Sequence, residues 1–300
     1  MTFETLNADF YGFENKLTDQ EKDLIVRLRA FLDENVRPVA NDLWAKAEFF
    51  NRDIVVKGLA ELGLFGQPWE ETQQFPNSAV FRGWVALELA RVDASVATLV
   101  GMQNGLVMGS IAVAGSPEQR AEWLPKFASG ELLGAFGLTE PLSGSDTAQG
   151  LQTVAKRDGD NWVINGAKRW IGNGSISDVT IIWARDEDDN QVKGFIVPTS
   201  TPGYSAKRIE NKQALRIVQN ADIVLENVIV PEANRLQKSQ SFRETAAVLR
   251  LTRAEVAWAA VGNAVGAYEA AVKYAGERIQ FGKPIGSHQL VQELLAKSLG

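Results

Sequence analysis

Residues 134–146, GAFGLTEPLSGSD, set small residues, hydroxyls and two carboxylates directly after an apolar run. Gly144 and Ser145 allow close backbone approach, and consecutive N–H groups can form a nest for an anion. A plain surface turn accounts for the same residues. The stretch matches neither the dinucleotide-binding glycine pattern nor the P-loop, so neither site is indicated. A second stretch, KRWIGN at 168–173, places Trp170 and Ile171 beside Gly172. A flat apolar face next to open backbone suits a planar ring, but a core strand would use the same residues. A third, RIQFGKP at 278–284, puts Arg278 in the last turn of a helix, where it complements the helix dipole without any ligand.

Composition removes several chemistries. The 300 residues contain no cysteine and one histidine, His288, which excludes disulfides, thiolate catalysis and a histidine- or cysteine-built metal site. Ser-His-Asp hydrolysis would also have to use His288, and no GxSxG elbow is present. A net charge of −6 with 31 Lys and Arg gives no basic stripe, which argues against nucleic acid. The N-terminal MTFETLNADFYGFENKL has neither the basic and apolar regions of a secretory signal nor the composition of a transit peptide. No uninterrupted apolar run approaches the roughly 20 residues of a bilayer span. The expectation is a soluble, cytoplasmic protein without membrane contact.

The elements that must position these stretches follow an α–β–α order. Thr18–Glu21 reads as a capping box, followed by a helical stripe of Leu24, Ile25, Leu28, Phe31 and Leu32. Further helices are expected at 54–62 with Gly63 as stop, at 79–91, at 96–114, and at 117–127 behind Ser116. From about 135 the period changes to two. Segments 154–157 and 162–164 flank a DGDN turn, and 179–183, 194–197 and 221–225 are further short strands. They suggest a compact antiparallel barrel or sandwich. Helix returns from about 240 to Arg278, with Gly262 and Gly266 permitting close helix–helix approach, and a last helix covers about 287–298. The fold class is therefore α+β: a helical domain at 1–134, a middle β-domain at 135–236 and a C-terminal helical domain at 237–300. The apolar face on the last helix, ending at Gly300, makes that third domain read as incomplete.

Taken in order, LTEPxSGSD, INGxKxWI and ERxQFGxPI with His288-Gln289 resemble the acyl-CoA dehydrogenase family across essentially the whole chain. AFGLTEP, IIWAR and AEVAWAAVG resemble its glutaryl-CoA dehydrogenase branch. NKQALRIVQNADIVLENVIVP is similar to short-chain acyl-CoA oxidases. The resemblance implies FAD as cofactor and an acyl-CoA thioester as substrate. It implies that Phe136, Leu138 and Thr139 line the flavin, with the Thr139 hydroxyl on the ring. Gly144 and Ser145 would lie at the pyrophosphate, with Ser145 also facing substrate. Trp170, Ile171 and Gly172 would pack at the flavin, and Arg253 would touch the CoA portion. Arg278, Gln280, Phe281 and Gln289 would reach the FAD of a neighbouring subunit, which implies a homotetramer built as a dimer of dimers. Electron-transfer flavoprotein or dioxygen would accept the electrons, in fatty acid or amino acid catabolism.

Three departures from the family pattern shape the functional expectation. The minority position for the catalytic base, one residue before Arg253, holds Thr252, and Glu255 three residues on is expected to point elsewhere on the helix, so no catalytic residue is assigned. Glu140 and Asp146 read as loop and cap residues. Gly172 stands where dehydrogenases carry a threonine, which removes a hydrogen bond worth about 0.5–1.5 kcal/mol and is expected to open space at the flavin edge. That keeps the oxidase alternative open. Ala97 falls where glutaryl-CoA dehydrogenases place an arginine for the distal carboxylate. An unpaired carboxylate in an apolar pocket is costly, so a short, neutral acyl chain is expected. The reading outside this class is a truncated, non-catalytic relative that binds flavin or acyl-CoA without turnover.

Overall fold

A computed structural model describes residues 3–299 apart from Thr5 and Asn7. Gly300, the end of the expected third domain, lies outside the described residues. Helix α1 (Asp19–Asn35) opens with the expected capping box, the Thr18 side chain accepting from Glu21 N–H and the Glu21 carboxylate accepting from Thr18 N–H. Leu24, Ile25, Leu28 and Leu32 are fully buried, one stripe of a 3.6-residue period. Helices α2 (Arg37–Lys46), α3 (Lys57–Glu61) and α4 (Ala79–Val92) follow. Residues Ala94–Ala114 then run as one helical stretch: α5 (Ala94–Gly101), a π-helical segment (Met102–Met108) and α6 (Gly109–Ala114).

That stretch of 21 residues has a mean hydropathy of 1.5, long and apolar enough to cross a bilayer. The helix is the one expected at 96–114; Ser95, Thr98, Gln103, Asn104 and Ser110 interrupt its apolar run. It packs in the protein core, with Val107, Met108 and Ile111 fully enclosed. Helix α7 (Pro117–Ala128) starts at a second capping box, Ser116 with Gln119.

Seven strands form the middle sheet: β1 (Gly134–Gly137), β2 (Val154–Asp158), β3 (Asn161–Ile171), β4 (Val179–Asp186), β5 (Val192–Pro198), β6 (Tyr204–Arg208) and β7 (Ala221–Pro231), with the short helix α8 (Thr147–Gly150) after β1. Their order is β1-β4-β2-β3-β7-β6, and β5 pairs with β4. Most pairs are antiparallel as expected, but β4 runs parallel to both β1 and β2. The parallel pairing carries Gly134–Gly137 into the sheet directly from the helical domain.

Helix α9 (Phe242–Glu277) spans 36 residues and is followed by the hairpin β8 (Ile279–Gln280) and β9 (Lys283–Pro284), then α10 (Gln289–Leu299). The expected close approach falls on α4. A Cβ at Gly262 would lie 2.2 Å from the Leu87 carbonyl oxygen, and one at Gly266 2.1 Å from that of Arg91. Only glycine lets these backbones meet, and the contact presses α9 against α4.

Candidate active site

The first two motifs meet at one sheet edge. Strand β3 carries a register irregularity between Lys168 and Ile171, and Trp170 has a φ of +62°. Such a bulge re-aims the side chain it displaces. The indole is 52% exposed while Ile171 behind it is buried. The Arg169 N–H donates to the Thr139 carbonyl at 2.8 Å, which ties the loop after β1 to the strand bearing Trp170. The Asn220 amide donates to the Trp170 carbonyl at 3.0 Å and fixes the bulge from the other side.

A buried ion pair anchors this junction. Lys168, fully buried, donates to Glu140 at 2.8 Å, to the Trp183 carbonyl at 2.6 Å and to the Leu138 carbonyl at 3.2 Å. Glu140 also accepts from the N–H groups of Gln152 and Thr153. Burial works against the Glu140 charge, but Lys168 and those N–H donors hold its carboxyl below the usual range. Burial brings the Lys168 ammonium down to about 8, with Glu140 pulling upward. Lys168 Nζ and both Glu140 oxygens are partnered, so the pair is a structural clamp that aims the loop. Sequence reading quoted Lys168 without giving it a role. Its place in a strand with an apolar β3 pattern was the available signal.

Above the clamp the surface is open. Phe136 and Leu138 are buried, Phe136 packing on Trp183 with ring centroids 6.2 Å apart, and they form a floor. Thr139 Oγ1 and Ser145 Oγ make no hydrogen bond with any described residue. A Cβ on Gly144 would meet nothing within 4 Å. Asp146 stands at the N-cap position of α8 without a side-chain capping bond. A planar ring with an anionic tail therefore finds an indole face, a free hydroxyl and an unobstructed Gly-Ser loop, and these residues fit FAD.

Two cavities flank α9 beside this face. One, of about 330 Å³, is lined by Ala97, Thr98, Gly101, Met102, Gly172 and Val256, among others. The expected open space at Gly172 is partly taken. A Cβ there would lie 2.8 Å from Met102 Sδ, so the thioether occupies the room a threonine would need. The second cavity, of about 290 Å³, lies between α4, the π-helical segment and α9, against Trp69, Arg82, Asn104 and Trp258.

Glu255 borders both cavities. The expectation that it points away from Thr252 is overturned. Residues three apart share a helix face, and Thr252 and Glu255 line the same flavin-side cavity. The carboxylate sits over two glycines one turn apart: a Cβ on Gly101 would fall 3.1 Å from Oε1 and one on Gly105 3.6 Å from Oε2. Burial pushes its carboxyl up to about 7, against the pull of Arg82. A carboxyl poised near neutrality in a cleft is a mark of functional sites.

The remaining expected site residues lie on the surface. Arg253 is exposed on α9. Arg278, Gln280, Phe281 and Gln289 are exposed around the β8–β9 hairpin, where Phe281 is 92% exposed with a φ of +53°. Among the described residues no hydrogen bond or ring contact joins them to the Thr139–Trp170 face.

Family models for the acyl-CoA dehydrogenase N-terminal, middle and C-terminal domains match residues 18–131, 135–228 and 242–299. The short-chain specific acyl-CoA dehydrogenase of Mus musculus is 33% identical over 273 residues, covering 89% of this chain and 66% of that protein. This chain thus spans just under two thirds of that relative's length. The crystal structure of a glutaryl-CoA dehydrogenase from Mycobacterium smegmatis is 37% identical with a TM-score of 0.90, covering 98% of this chain and 76% of that one. A second structure from that organism, in complex with FADH2, is 34% identical with a TM-score of 0.90 and covers 98% and 75%. The chain belongs to the acyl-CoA dehydrogenase family, whose cofactor is FAD.

Proposed function

We propose that this protein oxidises a short, neutral acyl-CoA thioester to the trans-2-enoyl-CoA. The observation that carries the reading is the juxtaposition at Gly172: the loop–indole face that fits FAD opens beside an apolar cavity of acyl size. Dehydrogenation removes a proton from Cα and a hydride from Cβ: FAD, when bound, would accept the hydride, and the proton would pass to a general base, for which no residue is assigned among the described ones. The chain's residues hold and orient the thioester. The clamp of Lys168 and Glu140 fixes the Thr139 loop, and Met102, Val256 and Ala97 give the acyl group an apolar wall. Preorganised geometry of this kind accounts for much of the rate when the cofactor does the redox chemistry.

The electrostatics of the cavity support neutrality. Its one ionisable side chain is Glu255, and Ala97 offers nothing to a distal carboxylate. A dicarboxylate would bring a second anion against Glu255 in a largely apolar wall. Electron-transfer flavoprotein is the proposed electron acceptor, in a homotetramer whose exposed β8–β9 hairpin reaches a neighbouring subunit, and the cytoplasm is the proposed location. Dioxygen is the second reading, since Gly172 removes a hydroxyl from the flavin edge. Met102 filling that room argues for the dehydrogenase.

Anaerobic mixing of the FAD-loaded protein with butyryl-CoA and with glutaryl-CoA tests the proposal. Butyryl-CoA should bleach the visible flavin band and glutaryl-CoA should not. Comparable bleaching by both would overturn the neutral-acyl assignment, and fast reoxidation in air would favour the oxidase.

A further inference from the structure

The inner cavity holds two opposite charges that do not meet. Arg82 from α4 and Glu255 from α9 both line it, yet form no ion pair or hydrogen bond with each other. Each feels the other's charge across the gap. Of the other polar side chains in the wall, Asn104, Gln67 and Trp69 are already used, while the Trp258 indole N–H donates to no described residue. Asn104 accepts from Gly66 N–H and donates to the Leu64 carbonyl. Gln67 donates to the Gly63 carbonyl and accepts from Asn77, and the Trp69 indole N–H donates to the Asn104 carbonyl.

Arg82 is only partly committed. Its Nη1 donates to the Asn77 carbonyl and side chain, while Nε and Nη2 have no partner among the described residues. Neither Glu255 oxygen accepts a hydrogen bond from a described residue. An unmatched acceptor and unmatched donors thus face a common space of about 290 Å³, walled by Leu64, Val85, Val100 and Trp258. Both side chains are only partly buried, so water can reach these groups, and a ligand that displaces that water must match their hydrogen bonding.

We propose that this gap recognises a neutral donor–acceptor group, a hydroxyl, at the far end of the acyl chain. The hydroxyl donates to Glu255 and accepts from Arg82. The inference rests on reading the flavin-side cavity as the acyl-thioester site, since Glu255 borders both cavities and places the inner one at that site's far side. A terminal carboxylate would satisfy Arg82 but confront Glu255, and a terminal ammonium would do the reverse. A methyl end would leave both unsatisfied.

The test compares valeryl-CoA, its ω-hydroxy counterpart and glutaryl-CoA on the FAD-loaded protein, by anaerobic flavin reduction. In parallel, calorimetry measures binding of the unreactive S-pentyl thioether of CoA and its ω-hydroxy form. The hydroxy-ended ligand should be favoured about tenfold or more in both readouts, as expected for hydrogen bonds to charged groups. Glu255→Leu should abolish the preference, and Glu255→Gln should keep part of it. Equal treatment of the two chains, or a preference for glutaryl-CoA, would overturn the proposal. So would Glu255→Gln protein that keeps its flavin but is reduced by no thioester, because Glu255 would then be handling a proton. Should no thioester reduce the wild-type flavin, the parent reading fails, and the thioether pair still decides this one. Neither wild-type comparison depends on a variant folding.

Discussion

The junction beneath Thr139 and the cavity beside Arg82 both bury charge, and they treat it in opposite ways. At the junction, Lys168 and Glu140 touch, and each also bonds to backbone carbonyls or N–H groups. In the cavity, Glu255 and Arg82 stay apart around a void. A closed pair of this kind fixes geometry, while an open one leaves binding capacity unspent. The first region is scaffold for a cofactor, and the second is a place where a ligand completes the hydrogen bonding.

Breaking the closed pair should have the largest effect. Lys168→Met leaves Glu140 buried without its counter-ion, which should cost about 3–5 kcal/mol in denaturant unfolding. Adding Glu140→Met should recover a good part of that loss. The open pair should respond in the reverse direction. Glu255 has a folded pKa of about 7 against an ordinary value of 4.5, so the folded state holds this proton more tightly than the unfolded one. Stability from this group is then greatest below pH 4.5 and falls as pH rises through 7. Glu255→Gln should match wild type at the acidic end. Well above pH 7 it should be more stable, by on the order of 3 kcal/mol, in thermal unfolding followed across pH. A variant less stable at high pH would show Glu255 paired after all.

Between the two regions sits Gly172. Gly172→Thr should destabilise by about 1–3 kcal/mol through its clash with Met102, and Met102→Ala should relieve it. The double variant regains the room for a hydroxyl at the flavin edge, and its air reoxidation tests whether residue 172 sets the acceptor. The smallest effect on stability should come from Trp170→Ala, at most about 1 kcal/mol given the exposed indole. Its effect should appear in weakened FAD retention, measured by filtration of the loaded protein.

The sequence carried the local signals well. Capping residues at Thr18 and Ser116 act through a few neighbours on one helix, and the small residues at 262 and 266 signal a close approach to another; the structure uses them as expected. The middle sheet was legible as strands, but β1 and β6 were passed over. Gly-Ala-Phe-Gly is short, and Tyr-Ser-Ala-Lys-Arg is a largely exposed edge strand with no apolar alternation. What sequence could not give was long-range pairing. Lys168 meets Glu140 across 28 positions, Met102 fills the room at Gly172, and Arg82 faces Glu255 across a cavity between two helices. Glu255 itself was within reach, because its three-residue spacing from Thr252 already places both on one helix face.

The visible spectrum of the folded chain, incubated with FAD and then desalted, tests the central claim most directly. The account predicts yellow protein with about one FAD retained per chain, and a markedly lower yield for Trp170→Ala of equal stability. Well-folded wild-type protein that emerges colourless would contradict it.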